Sequence, residues 1–362
     1  MNAPRVDIDL GKLRHNAETL IRRLAARGIS VTGVTKAVLG AEHIARAMLD
    51  SGVRELGDAR IENIEAMRAA GLDAPMVLIR SPMIGQARRV VSQADRSFNT
   101  ELDVIDALST AAHDAGVTHE IVLMVELGDL REGIMPAELQ SVVRQVLRFP
   151  NIRVVGIGSN LACCNGVAPD VRNMSELSAL AQLLEVETGY ALCTVTGGNS
   201  SALGWALQSA DVGRINNLRL GESILLGRNP LNRHAIDGLF TDAFTLVAEV
   251  IEAKCKPSKP WGRVEQTAFG AKASTLDRGF ETRCLLALGE QDTDPSGLDP
   301  PSGVTVVGSS SDHLIATVPA DSVYVGGEMS FQLNYSALVR AMTSPFVAKR
   351  ILSRGAMSRP CD

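Results

Sequence analysis

Seven of the 36 basic residues are lysines, and between Lys12 and Lys254 the sequence has a single one, Lys36. Arginine fills every other cationic position in that stretch. Arginine cannot do what a desolvated lysine can, which is to shed its proton and condense with a carbonyl to form an imine. A codon bias toward arginine leaves the same scarcity, so the surroundings of Lys36 have to carry the reading. Lys36 closes the apolar run VTGVTK (31–36), at what reads as the end of a strand. Far along the chain, TGGNSSALG (196–204) and LRLGESILLG (218–227) collect glycines and hydroxyls at two further strand ends. Backbone N–H groups of such loops, with the start of a short helix, commonly hold a phosphate. An imine-forming lysine opposite a phosphate cradle is the combination that pyridoxal phosphate requires.

Residues so far apart in sequence need a scaffold that gathers strand ends on one face. Eight short β-branched runs alternate with longer helical patterns: 31–36, 54–59, 76–80, 95–99, 120–127, 153–159, 192–198 and 215–221. Amphipathic stretches lie between them, such as 41–52, 60–71, 100–116 and 136–149, and several close on glycine. Eight strand–helix units over this length match a TIM (β/α)8 barrel, which takes about 250 residues. A doubly wound sheet shares the alternation, but GIGSNL (156–161) lacks the third glycine of GxGxxG and there is no GxxxxGK[ST]. After about residue 235 the rhythm turns to strands joined by Gly, Pro and Ser turns, which predicts an all-β C-terminal domain. The expected division is therefore a barrel over 11–235 and a β domain over 236–362, with 292–303 as a loop inside the latter.

Composition narrows the partners. With 45% hydrophobic and 21% charged residues the chain is that of an ordinary globular protein. A formal net charge of -5 provides no basic field for nucleic acid or an anionic membrane, and no apolar run is long enough to span a bilayer. The partner expected is a small molecule and the compartment cytoplasmic. The six cysteines, at 163, 164, 193, 255, 284 and 361, show no zinc spacing, so reduced thiols and no metal are expected. The adjacent Cys163 and Cys164 read as buried small residues at a strand end.

VTKAVLG (34–40), VELGDLREG (125–133), GIGSNLACC (156–164), GGNSS (197–201), LRLGESILLGR (218–228), LGEQDTD (288–294) and SSDHLI (310–315) together resemble the alanine racemase superfamily of fold-type III pyridoxal-phosphate enzymes. The likeness covers nearly the whole chain and is strongest to the ornithine racemase-like branch. It implies a barrel followed by a β domain, with residues 1–10 pairing with the latter, and a head-to-tail homodimer with composite active sites. Lys36 would carry the imine and serve as one proton-transfer base. Arg219 would lie against the pyridine nitrogen, where a cation accepts no proton. Asn199, Ser200, Gly221 and the backbone N–H of Glu222 would form the phosphate site with Tyr335. Arg131 would support the ring's phenolic oxygen, and Asn160 stands where a ring-packing histidine is usual.

Taken without the resemblance, the same residues allow plainer readings: Arg219 on the surface, Asn199 and Ser200 capping a helix, Arg131 paired with Glu126 or Asp129. Two departures from the family pattern matter. Glu290 replaces the tyrosine that serves as the second base, so Ser311, Asp312, His313, Glu290 or Asp292 would have to act on the opposite face. Gly40 replaces a phosphate-binding tyrosine. The acidic set Glu290, Asp292 and Asp294 could receive a substrate ammonium, with Asp292 the substrate-binding residue, or could be a solvated turn or a weak cation site. The expected function is racemisation of a basic amino acid such as ornithine or lysine. Alanine racemisation or decarboxylation on the same scaffold, or a non-enzymatic cofactor-carrying regulator, are the alternatives.

Overall fold

The computed structural model describes residues 2–267, 269–270 and 276–352, and Cys361 lies outside them. The chain divides into two compact units, Gly11–Thr241 and the residues up to Leu10 together with those from Asp242 on. The division falls later than 235 because the intervening segment is still tied to the barrel. Asn16 Nδ2 donates to Phe240 O at 2.8 Å, and Ile236 N donates to Gly227 O at 2.8 Å.

In the first unit, β2 (Ser30–Val34), β3 (Glu55–Asp58), β4 (Met76–Leu78), β5 (Arg96–Asn99), β6 (His119–Met124), β7 (Ile152–Gly158), β8 (Thr194–Thr196) and β9 (Asn217–Leu220) close a parallel barrel in chain order. Closure sets Ser30 opposite Asn217 and Gly33 opposite Leu220. A polar chain links neighbouring and facing strands: Asn217 Nδ2 to Thr32 Oγ1 at 3.0 Å, Thr32 Oγ1 to Glu55 at 2.7 Å, Glu55 to Arg96 at 3.2 Å, and Arg96 to Thr194 at 3.3 Å. Burial raises the Glu55 carboxyl above its ordinary value, with Arg96 opposing. Helices follow the strands and stop where the sequence provides a stop. Leu102–Ala115 ends on Gly116, and Val171–Thr188 begins with an Asp170/Asn173 capping box and ends on Gly189.

The second unit is one eight-stranded sheet. β1 (Arg5–Asp9) lies between β10 (Phe244–Pro257), antiparallel, and β16 (Ala348–Leu352), parallel. From β10 the sheet continues through β11 (Phe280–Leu286), β14 (Leu314–Thr317) and β13 (Thr305–Ser309) on one side. On the other side are β15 (Glu328–Leu333) and β12 (Leu298–Asp299). Val6 and Ile8 of β1 are fully buried, each worth roughly 2 kcal/mol. Arg5 reaches Glu328 with both terminal nitrogens, at 2.5 and 2.7 Å, locking the strand laterally.

The expectation of an all-β domain needs one correction, a helix at Tyr335–Thr343. Asn334 caps it by accepting from Ala337 N at 2.9 Å, and Ala337, Leu338, Ala341 and Met342 form its buried stripe. The preceding strand stops at Leu333. Among the described residues, no helix is long and apolar enough to cross a membrane.

Candidate active site

The C-terminal ends of the barrel strands gather the predicted residues of the first unit. Lys36 opens a short 3-10 turn, Lys36–Val38, directly after β2. Its predecessor Thr35 is fixed twice to β3, by N to Gly57 O at 3.0 Å and by Oγ1 to Asp58 Oδ2 at 2.7 Å. Lys36 is exposed to solvent, and partial loss of hydration at the barrel mouth still lowers its basicity from the ordinary lysine value. Arg131 and Arg219 push the same way, and Cys163 and Asp58 oppose.

Arg219, on β9, points into the barrel and is only 4% exposed, which removes the surface reading. Nη1 donates to Thr196 Oγ1 at 2.7 Å, while Nη2 donates to Ser159 O at 2.8 Å and Asn160 Oδ1 at 3.3 Å. Burial pushes this guanidinium down to about 10, with Glu132 opposing, so it stays charged at neutral pH. Asn160 is thus held by its oxygen, which also accepts from Asn199 Nδ2 at 3.2 Å. Its Nδ2 is buried without a partner.

Beside it lies a cluster of donors. Ser200 Oγ accepts from Gly221 N at 3.3 Å, Ser223 N at 3.2 Å and Ser223 Oγ at 3.1 Å. Asn199 does cap the turn that begins at Ser200, its Oδ1 accepting from Ser201 N at 2.8 Å. A Cβ on Gly221 would lie 3.2 Å from Val34 Cβ and O, so glycine lets β9 close against β2 here. Gly40 has φ +64, and a Cβ there would meet Asn63 at 3.0 Å, so any side chain in this turn would be strained. The Glu222 side chain turns to Arg233 and leaves only its backbone for the cradle.

Arg131 does not pair with Glu126 or Asp129. Glu126 is buried and accepts from the backbone N–H groups of Gly128, Leu130 and Arg131. Asp129 accepts from four more, those of Cys163, Cys164, Asn165 and Val167. The Arg131 guanidinium bonds instead to Glu132 and, at 3.3 Å, to Cys163 Sγ. Cys163 and Cys164 are exposed, contrary to the expectation of burial, because Asp129 pins their backbone in the loop after β7.

In the second unit the structure brings Glu290, Ser311, Asp312 and His313 together. Glu290 N donates to Ser310 O and Gln291 N to Ser311 O, each at 3.0 Å. Gly289 permits this approach, since a Cβ there would meet Asp312 N at 2.4 Å. His313 Nδ1 lies 2.9 Å from Asp312 Oδ1, and Glu290 accepts from Ser309 Oγ at 2.7 Å and pairs with Arg340 at 3.4 Å. Asp292 has a different part from the one expected. It is 8% exposed, accepts from Gly289 N and Ser344 Oγ, and serves as internal scaffold. Asp294 accepts from Ser296 and Ser336. Tyr335 is half-buried at the first position of its helix. No cluster of metal-binding side chains occurs among the described residues.

Sequence reading passed over Asp58, Thr35 and Glu132, and gave Cys163 no chemical part. The available signal was position: Asp58 closes β3 as Lys36 closely follows β2, and a carboxylate ending a buried barrel strand is placed at the functional face. The donor set fits a phosphorylated aldehyde. Neutral N–H and hydroxyl groups converge on one spot, a lysine of lowered basicity stands in the same mouth, and the buried Asn160 amide has an unmatched donor.

The alanine racemase N-terminal domain model matches residues 8–229. The chain is 37% identical to a lysine racemase of Thermotoga maritima, covering 96% of this chain and 98% of that one. This chain belongs to the alanine racemase family. It is also 38% identical to an ornithine racemase of Acetoanaerobium sticklandii, over 96% of this chain and 99% of the relative. Among solved structures, the alanine racemase of Streptomyces lavendulae superposes with a TM-score of 0.76 over 98% of both chains at 20% identity, a likeness of fold. A D-threonine aldolase of Filomicrobium marinum shares that fold, with a TM-score of 0.73 at 16% identity over 94% of this chain and 88% of that one. The same fold thus occurs in proteins named for two different reactions.

Proposed function

We propose that this chain is a pyridoxal-phosphate-dependent racemase of a basic amino acid, ornithine or lysine. The observation that carries the reading is similarity along nearly the full length to one racemase of each kind. When bound, pyridoxal phosphate would supply the electron sink for the pair left at the substrate's Cα. Asn199, Ser200, Gly221 and the backbone of Glu222 would hold its phosphate, Arg219 would be the fixed cation for the ring nitrogen, Arg131 would support the phenolic oxygen, and Asn160 would pack on the ring.

Lys36 Nζ takes or returns the α-proton on one face. The lowered basicity of that amine supports the role, because a neutral amine is needed both to condense and to accept a proton. Ser311, Asp312 or His313, from the β unit of a second copy in a head-to-tail homodimer, serves the other face. Glu290, partly open to solvent, meets the substrate's distal ammonium, while Asp292 remains scaffold. A cytoplasmic location completes the proposal.

The test is borohydride reduction of the cofactor-loaded protein followed by peptide mapping. The reading expects the reduced cofactor on Lys36 and loss of the imine absorbance in Lys36→Ala. A Lys36→Arg protein with normal turnover contradicts it.

A further inference from the structure

Asp58 is 0% exposed and makes no ion pair among the described residues, so its burial is costly unless something uses the charge. Its hydrogen-bond partners among the described residues donate to it: Thr35 Oγ1 at 2.7 Å to Oδ2, and Arg60 N and Asn63 Nδ2, each at 2.9 Å, to Oδ1. Burial raises this carboxyl above its ordinary value, and the bonds from Thr35, Arg60 and Asn63 oppose that shift; since all three donate, the arrangement favours the ionised form. The start of the helix Ile61–Ala69 favours the same form.

The two ends of the Lys36–Gly40 turn rest on this carboxylate. Thr35 ties one end to it directly. At the other end Asn63, bonded to Asp58, packs under Gly40 so closely that a Cβ there would meet it at 3.0 Å. The charged and titratable groups whose fields reach Lys36 are Cys163, Arg131, Arg219 and Asp58.

We propose that Asp58 is a positioning residue for Lys36. Through Thr35 it fixes the turn that carries the amine, and it supplies the negative charge that offsets Arg131 and Arg219 in the same mouth. This inference rests on Lys36 being the site lysine, and its test needs no turnover. The full-length protein is stripped of cofactor with hydroxylamine and labelled with trace acetic anhydride across a pH series. Acetylation of Lys36 is read by mass spectrometry against Lys254.

In Asp58→Asn the titration midpoint of Lys36 should fall by about one pH unit, giving about tenfold more neutral amine at a fixed pH below it. Thr35→Ser should match the parent in midpoint and in cofactor affinity, and Thr35→Val should bind pyridoxal phosphate about tenfold more weakly. A folded Asp58→Asn protein with an unmoved midpoint overturns the proposal. If Asp58→Asn does not fold, the Thr35 pair decides, and a Thr35→Val protein that binds like Thr35→Ser overturns it. Either failure leaves the site reading intact as long as Lys36→Ala abolishes the imine absorbance.

Discussion

The Arg219 guanidinium stands 5.2 Å from the centre of the Phe98 ring, on the aromatic face. A buried cation is retained there by a π face on one side and by Thr196, Ser159 and Asn160 on the other. Arg219→Ala leaves the Thr196 and Ser159 acceptors without donors, and should cost about 3 kcal/mol in urea unfolding. Arg219→Lys should cost less, because it keeps the charge but cannot span both acceptors.

Ser200→Ala removes the hydroxyl at the centre of the donor cluster. Affinity for pyridoxal phosphate should fall about tenfold, and affinity for pyridoxal, which lacks the phosphate, should hold. Fluorescence titration with the two compounds separates a phosphate contact from general damage. Equal losses for both would remove Ser200 from the phosphate site.

The acidic segment 290–294 divides by burial. Asp292→Ala should lower stability by about 2 kcal/mol by stranding Ser344 Oγ and Gly289 N, with no change in the ranking of ornithine against alanine. Glu290→Gln should shift that ranking toward alanine with little effect on stability. Paired kcat/KM values for the two amino acids, with urea curves for both variants, decide the point.

His119 is 2% exposed and close to Ser97 Oγ at 2.9 Å, and burial pushes its imidazole down to about 4. The unfolded chain, with a histidine near 6.5, therefore binds the proton first as pH falls. Stability is complete above about pH 6.5 and declines by about 3 kcal/mol as pH approaches 4. His119→Gln should flatten that slope. Unfolding curves at pH 7, 6, 5 and 4 for both proteins give the comparison.

The barrel was legible because each strand is a short apolar run followed by an amphipathic helix with its own stop. Lys36, Arg219 and Ser200 were legible because they sit at strand ends, and strand ends share one face. What escaped were contacts made across the chain. Asp129 reads as a loop carboxylate until Cys163 and Cys164 are seen folded over it. Asp292 reads as solvated until Ser344 is brought to it from 52 residues away. The helix at Tyr335 escaped because its cap, Asn334, directly follows a strand.

The central claim is that the α-proton of a basic amino acid is removed and returned here on either face. L-ornithine and L-lysine incubated in deuterium oxide with the cofactor-loaded protein test it most directly, followed by proton NMR and chiral chromatography. The account predicts loss of the α-proton signal together with growth of the D enantiomer until both hands are equal. An intact α-proton in both substrates, or release of carbon dioxide with no D enantiomer, would contradict it.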